Sequence, residues 1–107
     1  MIMANYIMQI FRHYLNIVFS WGFHAPVAIE NGLKFYVQGY IHKGAVEVLY
    51  DEGYDLFRVR TLNADGSVKE EQEGIYLDGL VEVIDRMVER CPNYEQRVKQ
   101  DYGFIEG

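Results

Sequence analysis

At 107 residues, half of them hydrophobic and 15% aromatic, the chain has the length of one domain and enough apolar mass for a core of its own. Its net charge of −6 is unevenly spread: residues 51–107 hold fourteen of the sixteen acidic side chains against seven basic ones. That balance excludes nucleic acid and anionic membranes as default partners, because both call for a basic surface.

The lone cysteine, Cys91, rules out an intrachain disulfide and suits a reducing compartment, so a cytoplasmic location is expected. The apolar N-terminus lacks the basic start and small-residue cleavage site of a signal peptide. Asn5, Gln9, Arg12, His13 and Asn16 interrupt it too often for a membrane span.

Residues 3–20 predict a helix. Its polar residues (Asn5, Gln9, Arg12, His13, Asn16, Ser20) fall within an arc of about 100° at the helical period. Everything else on it is apolar, and an ordinary surface helix has those proportions closer to reversed. This helix therefore needs cover on more than one side. Tyr6, Ile10, Phe11, Tyr14 and Val18 are the candidate interface residues on it.

Residues 21–28 form an irregular connection around Gly22 and Pro26. Asn31-Gly32 then signals a hairpin, because a type I′ turn requires positive φ at both central residues. Lys43-Gly44, Glu52-Gly53 and Asp65-Gly66 repeat the turn signal between β-rich runs. Five strands follow, near 27–30, 33–42, 45–51, 54–63 and 67–73, joined as an antiparallel meander.

Two-residue loops at these turns set a register. Ile41 then opposes Val46, Val48 opposes Phe57, Glu47 opposes Arg58, and Arg60 and Arg58 oppose Glu71 and Glu73. One face becomes apolar and the other alternates charges across strands, a favoured arrangement. The charged last strand suits an exposed edge.

Residues 79–91 predict a second helix, with Asp78 as N-cap and Pro92 as stop. Leu80, Val81, Ile84, Met87, Val88 and Cys91 form its inner side; Glu82, Asp85, Arg86, Glu89 and Arg90 face away. Tyr94, Val98 and Tyr102 share a face of a short third helix, 94–102. The fold class expected is α+β: a two-layer sandwich of N-terminal helix, five-stranded antiparallel meander, C-terminal helix and short third helix, in one domain over 1–107.

Catalytic chemistry finds little footing. His13, His24 and His42 have no metal-ligand spacing, and no metal or cofactor is expected. The loop at Asp65-Gly66 fails the calcium-loop pattern, since Thr61 and Gln72 occupy its first and twelfth positions. Asp51, Glu52 and Asp55 form a solvated hairpin tip. Cys91 sits where a helix C-terminus disfavours a thiolate. Gly39, inside a strand, marks a bulge or the close approach of a helix.

The second sheet face is the remaining candidate. It carries Tyr36, Gln38, Tyr40 and His42 in alternation, with Arg58 and Arg60 nearby. The leading expectation is a non-enzymatic protein–protein interaction module that self-associates through the N-terminal helix. One alternative is a small-ligand or peptide-binding domain using the Tyr36/Tyr40 face. Another is an acidic inhibitor imitating nucleic acid.

Overall fold

The computed structural model describes residues 3–89. Its centre is a five-stranded sheet of β1 (His24–Ile29), β2 (Gly32–Gln38), β3 (Lys43–Asp51), β4 (Leu56–Leu62) and β5 (Val68–Ile75). The spatial order follows the chain order and each pairing is antiparallel, so the meander is as the turn spacing predicts.

The hairpin connections differ from the two-residue loops expected of them. Lys43 and Gly44 lie inside β3, opposite Gln38 and Val37, and residues 39–42 make the turn. Phe35, not Ile41, therefore faces Val46, and β2 stops at Gln38. The connection 39–42 leaves the sheet to meet the helix layer: the Ile41 and His42 N–H groups donate to the Val88 carbonyl at 3.0 and 3.2 Å. At the next turn, 52–55 form the loop, with the Tyr54 and Asp55 N–H groups donating to the Asp51 carbonyl. Val48 then faces Val59, and Glu47 faces Arg60 instead of Arg58. Both slips are by an even number of residues, so the side chains that remain within these paired strands keep their predicted faces, whereas Tyr40, Ile41 and His42 leave the sheet with the connection. Arg60 does oppose Glu71. At the first turn only Asn31 has positive φ, and the loop residues are Glu30 and Asn31. Gly32 is needed there for space: a Cβ on it would lie 2.1 Å from the Val48 carbonyl oxygen.

The N-terminal helix is two helices, α1 (Met3–Arg12) and α2 (Leu15–Ser20), separated at His13-Tyr14. Tyr14 leaves helical geometry at φ −136°. Neither proline nor glycine marks the break. On either side of it, Ala4, Ile7 and Phe11 and then Val18 and Trp21 belong to one core. α1 packs on β1 and β2, and α2 packs on α3 (Leu80–Val88).

A 3-10 turn, Leu77–Gly79, leads into α3. Asp78 lies within that turn, Gly79 holds the N-cap position, and no side-chain cap bond is made there. The inner side of α3 is the predicted one, with Leu80, Val81, Ile84, Met87 and Val88 buried. Glu89, expected to face away, is buried, and its carboxylate accepts the Tyr40 N–H at 3.3 Å. Asp85 also turns inward, accepting the Trp21 indole N–H at 3.0 Å. Cys91 and the predicted helix 94–102 lie outside the described residues.

The helices thus cover one face of the sheet, in two layers. Trp21, Phe11, Phe23 and Phe35 form an aromatic cluster at the centre of the core, with Phe11 edge-on to the other three. Such edge contacts add about 0.5–1.5 kcal/mol each beyond burial. β5 is the exposed, charged edge expected of it. Among the described residues, no helix is long and apolar enough to cross a membrane.

Candidate functional site

The open face of the sheet presents Lys34, Tyr36 and Gln38 from β2, Glu47 and Leu49 from β3, and Arg58 and Arg60 from β4. The predicted stripe of Tyr36, Gln38, Tyr40 and His42 is cut in half. Tyr36 and Gln38 lie on β2; Tyr40 and His42 lie in the connection that turns toward α3. His42 is 3% exposed and so is removed from any surface site. Tyr36 sits between the Lys34 ammonium, 5.8 Å from its ring centroid, and the His24 ring at 5.9 Å.

Both arginines are occupied. Arg58 lies 3.3 Å from Glu71 and from Glu73 and 3.9 Å from Asp51; Arg60 lies 3.5 Å from Glu71 and 4.0 Å from Glu47. An anionic ligand would have to displace these carboxylates. Among the described residues of this face, the carboxylates of Glu47, Asp51, Glu71 and Glu73 are interleaved with the two guanidiniums.

His42 has a structural task. Its Nε2 lies 2.9 Å from the Ala45 carbonyl and its Nδ1 3.4 Å from Lys69 Nζ. Those partners fix the neutral tautomer: Nε2–H donates to the carbonyl, and Nδ1 accepts from the ammonium, which also donates to the Ile41 carbonyl at 3.2 Å. Burial pushes the imidazole pKa below its ordinary value, and the Lys69 charge adds to the effect.

The acidic hairpin tip is solvated and internally bonded, as its composition implies. The Tyr50 hydroxyl donates to Asp55, which pushes the phenol pKa up. The Asp65 carboxylate accepts from the Ser67 N–H and hydroxyl, which hold its pKa down and close the turn. Neither described serine serves a histidine: Ser67 Oγ donates to Asp65, and Ser20 Oγ to the Ile17 carbonyl. Among the described residues, no three His, Cys, Asp or Glu side chains gather as a metal set.

Exposed large hydrophobic side chains occur on strands and turns (Val27, Tyr54, Val68, Tyr76) and, clustered within six residues, on the helix layer at Tyr14, Leu15, Ile17 and Phe19. Of the five interface candidates, Phe11 and Val18 are 1% and 2% exposed and belong to the core, so they are closed to a partner. Tyr6 and Ile10 are half-buried against that core, and Tyr14 is exposed. The surplus lies instead on α2. Leu15 and Phe19, 44% and 65% exposed, stand one turn apart on its outer side. On its other side, Tyr14 and Ile17 line a groove of about 500 Å³ shared with Val81 of α3. Among the described residues that line it are three carboxylates, of Asp78, Glu82 and Asp85, and the Arg86 guanidinium. An unbroken 3–20 helix conceals this division, because it aims α2 differently. Comparison of the chain with protein families, curated proteins and solved structures finds no match.

Proposed function

We propose that the protein is a non-enzymatic protein-interaction module that self-associates through the outer side of α2. The observation that supports this reading is the exposed pair Leu15 and Phe19 on a six-residue helix. Together they leave on the order of 200 Å² of apolar surface in water, equivalent to about 5 kcal/mol at ~25 cal/mol per Å². A two-fold axis through this ridge sets the same residues of two copies against one another, as an isologous contact requires. The pair of copies then gains about 10 kcal/mol, against an association cost of ~4–15 kcal/mol. A weak dimer is the outcome, so the measurement must reach high concentration.

Sedimentation velocity from roughly 1 to 100 µM, a span that brackets micromolar affinity, tests this. The expected result is a rise in sedimentation coefficient toward a dimer. Phe19→Asp should abolish that rise and leave the melting temperature nearly unchanged, because the side chain is already exposed. A wild-type chain that stays monomeric throughout overturns the proposal.

A further inference from the structure

His42 stands where three parts of the fold meet. It lies in the connection 39–42, whose Ile41 and His42 N–H groups donate to the Val88 carbonyl at the end of α3. Its Nε2 reaches the Ala45 carbonyl of β3 at 2.9 Å, and its Nδ1 lies 3.4 Å from Lys69 Nζ of β5. The same ammonium donates to the Ile41 carbonyl at 3.2 Å. Lys69 thus ties the edge strand to the joint between sheet and helix layer. We propose that His42 and Lys69 form a proton-operated latch: a proton taken up at His42 Nδ1 releases the Lys69 ammonium and unties β5 from the connection 39–42.

Two cations compete for one lone pair. The Ala45 carbonyl can only accept, so Nε2 carries the ring hydrogen and Nδ1 the lone pair, to which Lys69 donates. A proton must add at that same atom. The imidazolium then turns an N–H toward an ammonium, donor against donor and charge against charge. Lys69 is the group that can leave. His42 is 3% exposed and held at its ring by Ala45 and at its backbone by Val88, whereas Lys69 is exposed on a flexible four-carbon stem. The neighbouring charges do not cancel the conflict. Glu70 of β5 favours the charged ring, but less than Lys69 opposes it. Lys43, next in the chain, is exposed, and the Glu89 carboxylate at the end of α3 accepts the Tyr40 N–H. The coupling is reciprocal: the factor by which seated Lys69 weakens proton binding at His42 is the factor by which that proton weakens the seat of Lys69. The main-chain bonds to Val88 involve no titrating group, so the latch opens within a folded chain.

The test is an NMR titration of the full chain from roughly pH 8 to 4, a span that brackets histidine ionisation. It follows the His42 ring nitrogens and the Lys69 ammonium nitrogen, assigned by their loss in His42→Gln and Lys69→Met. In the wild type both signals should move with one midpoint, below 6.5. In Lys69→Met no ammonium opposes the proton, so the His42 midpoint should rise by at least roughly half a pH unit, about threefold in proton affinity. In His42→Gln the Lys69 signal should lose its pH dependence across the same range. An unchanged His42 midpoint in Lys69→Met overturns the proposal, because burial would then account for the neutral ring alone. So does a Lys69 signal that titrates alike with and without His42, or a chain that unfolds as a whole before that signal moves. Neither residue belongs to α2, so this outcome is independent of the dimer measurement.

Discussion

Replacing Gly39 with alanine probes the joint between the two layers. Gly39 follows β2, and a Cβ on it would lie 2.0 Å from the Val88 carbonyl oxygen and 2.7 Å from its carbon. No side-chain rotation relieves a clash between a methyl group and a helix backbone, so the connection 39–42 must move away from α3. Three bonds span that gap: Ile41 N–H and His42 N–H to the Val88 carbonyl, and Tyr40 N–H to the Glu89 carboxylate. At about 1 kcal/mol net each, their loss destabilises the fold by about 3 kcal/mol. The lower entropy of an unfolded chain with alanine offsets about 0.4–1 kcal/mol. A net loss of about 2–3 kcal/mol remains, a shift of roughly 10–20 °C in melting temperature for a chain of this size. Urea unfolding followed by the fluorescence of Trp21, the only tryptophan, measures it directly. Gly53→Ala is the control, since its nearest foreign atom is Asp51 Oδ1 at 3.7 Å, and it should change stability by no more than about 0.5 kcal/mol. A Gly39→Ala loss below about 1 kcal/mol, or one equal to that of Gly53→Ala, would refute the reasoning.

Stability should also depend on the charge state of His42. The folded chain holds its pKa below the ordinary 6.5, so between the folded value and 6.5 the unfolded state binds more protons. The stabilisation is fully present above pH 6.5 and is lost as pH falls through the folded pKa, with a slope of at most about 1.4 kcal/mol per pH unit. Unfolding titrations of the wild type and His42→Gln should diverge in that window; parallel curves would show that the imidazole is not held neutral. Asp85→Ala should leave the buried Trp21 indole N–H without its acceptor and cost about 2 kcal/mol, as for other bonds to charged groups. An unfolding free energy within about 0.5 kcal/mol of wild type would mean that the bond contributes little.

The interface candidates show how far helical periodicity can be followed. Phe11 and Val18 lie seven residues apart on one stripe, and periodicity alone cannot distinguish a stripe that meets a partner from one that meets the core of the same chain. The break at His13-Tyr14 decides that question, and no breaker residue records it. The stripe of Tyr36, Gln38, Tyr40 and His42 failed at one point for a similar reason. Alternation predicts a face only while the strand lasts, and β2 ends at Gln38 because residues 39–42 find better partners in the end of α3. Gly39 was the visible trace of that contact.

Local chemistry by itself determined the element order, the antiparallel meander, the inward side of α3 and the partition of each strand into two faces. Those features rest on period and turn composition, which act over a few residues and survive an even-numbered slip in register. Only the tertiary structure decided which turn residues close each hairpin, where the N-terminal helix breaks, and that Asp85, Glu89 and His42 turn inward. Each depends on a group distant in the chain: Trp21 for Asp85, Tyr40 for Glu89, Ala45 and Lys69 for His42. A buried polar side chain is tolerable only where such a partner stands, and the partner is supplied by packing, which no local pattern encodes.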